Sequence, residues 1–332
     1  MRIEEKIAFL RQPDIYQDRP KRVDVIETHM SWVFLTDSLA YKLKKPVRYE
    51  FLDFSTVEAR QKDCEWEVSL NRRLAGQVYL GVVPLTVQEN GDLQLAGEGS
   101  VVDWLVQMRR LPADCMLDAL IRKGTVDAGD VQKLGQVLTG FYRHSAPLLI
   151  SPAEYLRRFE KDIQNNQAGL SDNRYALSKV QVDRLSAAQR QFLAEQGRLL
   201  EQRALDRRII DAHGDLRPQH ICLTAPPVII DCLEFNRDFR ILDPVDELAY
   251  LSMECERLGA VHIGEAILAC YSEATGDACP IELIRFYKAF RACLRAKISV
   301  WHIADHQVLD HRRWLRLAQT YLDLAERYLY HG

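Results

Sequence analysis

The strongest constraint on the fold is a change in hydrophobic periodicity after Leu111-Pro112. Before it, apolar residues alternate in short runs broken by turn residues; after it, they recur every three or four positions. A chain patterned this way predicts a β-rich first part and a mainly helical second part, an α+β protein in which the two kinds of structure are segregated. Residues 25–45 (VIETHMSWVFLTDSLAYKLKK) hold two β-rich stretches around Thr36-Asp37-Ser38, the pattern of a hairpin with a short polar turn. A second β-rich block covers residues 79–108. Between them, residues 55–74 read as a helix, with Ser55 and Glu58 spaced as a capping box and Val68, Leu70 and Leu74 on its apolar side.

In the second part, Met116, Leu117, Leu120 and Ile121, then Val131, Leu134, Leu138 and Phe141, fall at helical spacing. Ser151-Pro152 opens a further helix as N-cap and first-turn proline, residues 180–205 another, and residues 281–303 one more. One segment departs from helical text. Between the apolar runs Ile209-Ile210 and Val228-Ile229-Ile230 lies HGDLRPQHICLTAPP, a polar, histidine-bearing loop flanked by short strands.

Composition narrows the function classes. The 332 residues carry a formal charge of -3, which gives no global electrostatic footprint for duplex nucleic acid. No apolar run reaches the roughly 18 residues that a membrane span needs, and the first twenty residues lack a signal-peptide core. A cytoplasmic protein with no membrane association is expected. Eight cysteines occur without a C-x-x-C pair, so neither a structural zinc site nor a redox dithiol is signalled.

The chemistry is concentrated in the loop. His213, Asp215 and His220, followed by Asp231 at the end of an apolar run, supply proton and metal ligands within a short span. Phosphoryl transfer needs a carboxylate to orient and deprotonate the acceptor hydroxyl, and ligands that hold a divalent cation against the nucleotide phosphates. An Asp, a metal ligand five residues on and a second carboxylate at the next strand meet both needs.

At these residues the chain resembles the aminoglycoside phosphotransferase and choline kinase branch of the protein-kinase-like superfamily. That branch has a catalytic loop H-x-D-x-x-x-x-N followed by a metal-binding Asp. Leu242-Asp243-Pro244-Val245-Asp246-Glu247-Leu248-Ala249 resembles its D-P-x-x-D-L-A segment, which braces the catalytic loop, and Ala40-Tyr41-Lys42-Leu43-Lys44 resembles its phosphate-binding strand. ETHMSWVFL, YKLKKPV, FLDFST, LNRRLA, YLGVVP and MRRLP resemble an uncharacterised bacterial branch of these kinases whose kinase-like unit is often fused to a P-loop ATPase. No G-x-x-x-x-G-K-[ST] occurs here, so a separate P-loop ATPase is an expected partner.

The resemblance implies a bilobal kinase-like fold, with a β-rich N-lobe over residues 1–108 and a helical C-lobe over 109–332, forming one kinase-like domain. It implies ATP and Mg2+ or Mn2+ as cofactors, and phosphorylation of a hydroxyl on a small-molecule acceptor. Asp215 becomes the base, His213 an architectural residue of the loop, and Asp231 the main metal ligand. Lys42 contacts the phosphates, with Lys44 on the same face as alternate, and Glu67, preferred over Glu65, is the lysine's ion-pair partner.

Gln107 and Arg109 fall where such kinases join their lobes and bind adenine through the backbone. His220 stands in place of the family Asn and offers a nitrogen where Asn offers an oxygen. That departure, with the missing glycine-rich loop, keeps open a nucleotide-binding pseudokinase or regulatory module; a metal-dependent phosphohydrolase ranks last. Tyr287, Arg291 and Arg295, spaced four apart on one helix, are either a solvated face or the wall of a groove for an anionic acceptor.

Overall fold

The computed structural model describes residues 1–49, 52–304 and 310–330; Phe51 of the FLDFST segment lies outside them. The chain opens with helix α1 (Ile3–Leu10) and strands β1 (Asp24–Glu27), β2 (Ser31–Leu35), β3 (Leu39–Lys44), β4 (Arg48–Tyr49) and β5 (Leu52–Asp53). It continues through α2 (Val57–Ala75), β6 (Tyr79–Val87), β7 (Leu93–Leu95) and β8 (Ser100–Arg109). Helices α3 (Leu117–Lys123), α4 (Ala128–His144), α5 (Pro152–Leu170) and α6 (Lys179–Leu205) follow. Then come β9 (Ile210–Asp211), β10 (Ile221–Cys222), β11 (Val228–Ile229), β12 (Ile241–Leu242), α7 (Pro244–Arg257), α8 (Val261–Thr275), α9 (Ile281–Ala304) and α10 (His311–Tyr330).

These elements form two compact units, Met1–Met116 with His220–Phe239, and Leu117–Gln219 with Arg240–Gly332. The sequence reading drew its boundary after residue 108 and kept 109–332 together. In the structure the chain returns to the first unit for twenty residues, because β10 and β11 pack on α2 and the sheet: Cys222 and Val228 share a core with Cys64, Val68 and Val106.

The first unit is built on an antiparallel sheet in the order β1-β2-β3-β8-β6-β7. Strand alternation sends Ala40, Val106 and Met108 to the face that α2 covers, and Phe34, Tyr41, Leu43, Leu85 and Leu105 to the opposite face, under Leu10 of α1 and Tyr16. Lys42 and Lys44 share the parity of Ala40 and so point toward α2. The N-cap of that helix is Thr56, whose hydroxyl accepts from the Ala59 amide at 3.1 Å, while the expected cap, Ser55, donates to Asp53 instead. Buried Asp103 of β8 accepts bidentate from Arg60 of α2 and also binds Lys6 of α1, so one carboxylate ties both helices to the sheet.

The second unit is helical apart from the β9–β12 pair. At its centre lies α7, every residue of which is buried from Pro244 to Cys255. Gly264 lets α8 approach it: a Cβ there would stand 2.3 Å from the Ser252 hydroxyl. The polar residues of α7 are paired. Asp246 binds Arg291 of α9, and the helix N-cap Asp243 binds Arg203 of α6, which also grips Asp277. Among the described residues no helix is long and apolar enough to cross a membrane.

Candidate active site

In the first unit, Lys42 donates to Glu67 of α2 at 2.9 Å and to Asp231 at 2.9 Å. Glu67 was chosen over Glu65 because it lies beside the apolar stripe of the helix; Glu67 is buried, and Glu65 is exposed and bonded to Gln61. Burial by itself would lower the Lys42 pKa, but Asp231, Glu67 and Glu234 outweigh it and hold the ammonium well above its usual range. Lys42 is therefore a firm cation.

Asp231 sits two residues after the end of β11 with φ 62°, a left-handed conformation that non-glycine residues seldom adopt and that clusters at functional positions. Its backbone amide donates to the Tyr79 hydroxyl at 3.2 Å, and the next amide, Cys232, donates to Asn71 of α2 at 2.9 Å. The side chain is 45% exposed, so its carboxylate can reach a ligand. His220 Nε2 stands 3.4 Å from its second oxygen. Asp231 and His220 thus bring a carboxylate and an imidazole together as potential donors to a cation. No cluster of three or more His, Cys, Asp or Glu among the described residues is placed to hold a metal alone. The pair fits Mg2+, which is commonly held by one or two protein ligands and completed by phosphate and water oxygens; the imidazole also suits Mn2+.

Lys44, the alternate phosphate contact, is enclosed: its side chain is 1% exposed, and Asp63, Glu67 and Glu234 each lie 2.6 Å from Nζ. Two lysines thus face four carboxylates. Burial pushes Glu234 up to about 7 against the pull of Lys44, and raises Asp63, whereas the two lysines overcome burial at Glu67 and lower it. In sequence, Glu234 carries no signal beyond its place three residues after Asp231, and Asp63 none beyond its spacing of four from Glu67 on α2.

Gln107 and Arg109 do not form a connection with a free backbone. Both lie inside β8; Gln107 is in register with Tyr41 on one side and Gly81 on the other, and the Arg109 amide donates to Val78. The strand outlasts the point where Gln107-Met108-Arg109 reads as a linker. The Thr36–Ser38 turn is likewise occupied, with the Ser38 amide and hydroxyl on Asp18.

In the second unit, the loop after β9 is pinned by Glu247 of α7. Its carboxylate accepts the His213 amide at 3.0 Å and the Gly214 amide at 2.6 Å, and Tyr142 fixes it from α4. Gly214 has φ 90°, a backbone that favours glycine. His213 is buried, and its Nδ1 accepts from the Asp215 amide at 3.3 Å. Asp215 accepts from Tyr250 at 2.9 Å and from Arg217 at 2.8 Å. Neither partner was singled out from sequence. Arg217 stands two residues from Asp215, and Tyr250 one helical turn after Glu247.

The proposed groove splits. Tyr287 is fully buried and donates to Asp243, and Arg291 is closed in a bidentate pair with Asp246, so neither lines a groove. The alternative reading, a solvated face, fails as well, since Lys288, Arg291 and Lys297 are buried. Both expectations treated charge as a surface marker, whereas buried α7 supplies carboxylates to pair with α9. Of the three, Arg295 is the one that keeps partial exposure, at 12% of its side chain.

A choline/ethanolamine kinase family protein from Mesorhizobium loti matches with TM-score 0.54 and 15% identity, over 96% of this chain and 98% of that one. The chain has the choline kinase and aminoglycoside phosphotransferase fold. The choline kinase LicA of Streptococcus pneumoniae, solved in complex with AMP, matches with TM-score 0.54 and 17% identity, over 98% of this chain and 97% of its own. A thermostable mutant of aminoglycoside phosphotransferase APH(4)-Ia matches with TM-score 0.51 and 9% identity, over 91% of this chain and 95% of its own. No protein-family model matches. By sequence, uncharacterised proteins of Mycobacterium tuberculosis and Mycobacterium bovis are 32% identical over 287 residues, 83% of this chain and 54% of theirs. The chain spans about half the length of these curated relatives.

Proposed function

We propose that the protein transfers the γ-phosphoryl group of ATP, with Mg2+ or Mn2+, to a hydroxyl of a small-molecule acceptor. The observation that carries this reading is the Lys42–Glu67 ion pair extended to Asp231. A partly buried ammonium, held charged and fixed by a helix carboxylate next to a half-exposed aspartate, is an arrangement that binds phosphate oxygens and a cation together. Lys42 takes the nucleotide phosphates, and Asp231 with His220 takes the metal, which when bound supplies neutralisation of phosphate charge. Asp215, oriented by Tyr250 and Arg217, accepts the proton of the acceptor hydroxyl. With Gln107 and Arg109 committed to the sheet, the segment after Arg110 becomes the candidate for adenine. The AMP complex of the structurally similar choline kinase supports an adenine nucleotide.

One observation favours a regulatory, non-transferring module: His220, which stands where the resemblance expects a metal-binding Asn, approaches Asp231 itself at 3.4 Å. Asp215→Asn separates the two readings. Loss of ATP-dependent transfer with ATP affinity kept within about threefold supports the kinase, whereas a wild type that binds ATP and transfers phosphate to no acceptor or water supports the module. We also propose that a P-loop ATPase works with this chain; the greater length of the mycobacterial relatives supports this.

A further inference from the structure

We propose that the acceptor is an anion, a hydroxylated phosphomonoester or carboxylate, and that Arg295 and Arg217 hold its negative group beside Asp215. This inference rests on the kinase reading and adds the acceptor class to it.

Three guanidinium groups, Arg217, Arg257 and Arg295, gather here against two carboxylates, Asp215 and Glu254. Arg217 is spent on Asp215 at 2.8 Å, and Arg257 takes Glu254 at 2.8 Å. Glu254 also accepts from the Tyr321 hydroxyl at 2.7 Å. Arg295 is left the weaker share of Glu254, with Nε at 3.5 Å, and that buried Nε has no hydrogen-bond partner among the described residues. Its guanidinium rests over the Tyr321 ring at 5.8 Å, a contact that orients the charge without neutralising it.

Among the described residues Arg295 is thus held more loosely than Arg217 and Arg257, each of which has a carboxylate at 2.8 Å. Asp215, Arg217 and Arg295 each retain partial exposure, at 22%, 19% and 12% of their side chains, so a small molecule can reach them. Tyr250 of α7 donates to Asp215 at 2.9 Å, and Glu254, one turn later on the same helix, stands 3.5 Å from Arg295, so one turn of α7 separates the contacts of the Asp215–Arg217 pair from those of Arg295. Two guanidinium groups so placed share one anion, which each can meet with paired N–H donors. A cationic acceptor such as an amino sugar or a quaternary amine would be repelled by both.

The test uses the full chain with saturating adenylyl imidodiphosphate and magnesium, so that the nucleotide site is filled through its γ position. Glycerol 3-phosphate, glycerate, glycerol and choline are titrated by calorimetry; they share hydroxyls and differ in charge. The expected result is saturable binding of glycerol 3-phosphate, of glycerate, or of both, with neither glycerol nor choline bound. Which of the two binds tells phosphate from carboxylate. Arg295→Gln weakens that binding at least tenfold, and Arg295→Lys restores it to within about threefold. If Arg295→Gln does not fold, Arg217→Gln and Arg295→Lys carry the comparison. Binding of choline, absence of binding by both anions, or anion affinity unchanged in the arginine variants overturns the inference. Failure of the nucleotide itself to bind would instead overturn the kinase reading, and is seen in the first titration.

Discussion

Replacing Glu234 by glutamine isolates the electrostatics of the lysine cluster. Glu234 is buried against Lys44 in a group where four carboxylates share two ammonium ions, and burial lifts its pKa from the usual 4.5 to about 7. A group whose folded pKa is raised contributes stability that is complete below its unfolded pKa and is lost as pH rises through the folded value. Here that window runs from about 4.5 to about 7. Each pH unit between the two pKa values is worth about 1.4 kcal/mol, so the wild type loses about 2–3 kcal/mol from this group between pH 5 and pH 8. Glutamine never ionises, and its amide oxygen still accepts from Lys44. Denaturant unfolding of both proteins at pH 5 and pH 8 reads the difference directly. Glu234→Gln should gain on the wild type by about 2–3 kcal/mol at the higher pH. A stability difference that is flat with pH, or that moves against the glutamine variant as pH rises, would show that Glu234 is stably ionised beside Lys44 and refute the reasoning.

Other outcomes follow from the same packing. Arg203→Met strands Asp243 and Asp277 in the second unit and should cost about 3–5 kcal/mol in a denaturant titration, the usual penalty for breaking a buried ion pair from one side. Tyr250→Phe removes one hydrogen bond from Asp215 and should lower kcat about tenfold with little change in the nucleotide Kd, since such a bond is worth about 1–1.5 kcal/mol. Asp215→Asn should lower turnover by about two to four orders of magnitude while sparing ATP binding, measured by transfer of labelled phosphate and by calorimetry in parallel.

The β-then-α division was legible because hydrophobic periodicity is local, and the loop residues were legible because Asp215, His220 and Asp231 lie close in sequence. The Lys42–Glu67 pair could be read across 25 residues since strand parity and a helix stripe each orient one partner. Lys44, Asp63 and Glu234 were not legible as a buried cluster: a charged residue looks the same in sequence whether water or a carboxylate surrounds it. The same blindness misplaced α9, whose arginines resemble an outer face until α7 is seen to be buried and acidic. Gln107 was misjudged because nothing in Val106-Gln107-Met108-Arg109 marks where a strand ends. The bracing of the loop by the segment around Glu247 could be read from its motif, whereas Tyr250 escaped notice because its meaning depends on α7 running beneath a loop some 35 residues earlier.

The most direct test of the central claim is a thermal-shift titration of the wild type and Asp231→Ala with ATP, in magnesium, manganese or EDTA, since a ligand that binds the native state must raise its apparent stability. The account predicts a metal-dependent upward shift in the wild type that Asp231→Ala loses. A shift that persists in EDTA and in Asp231→Ala, or no shift under any condition, would contradict it.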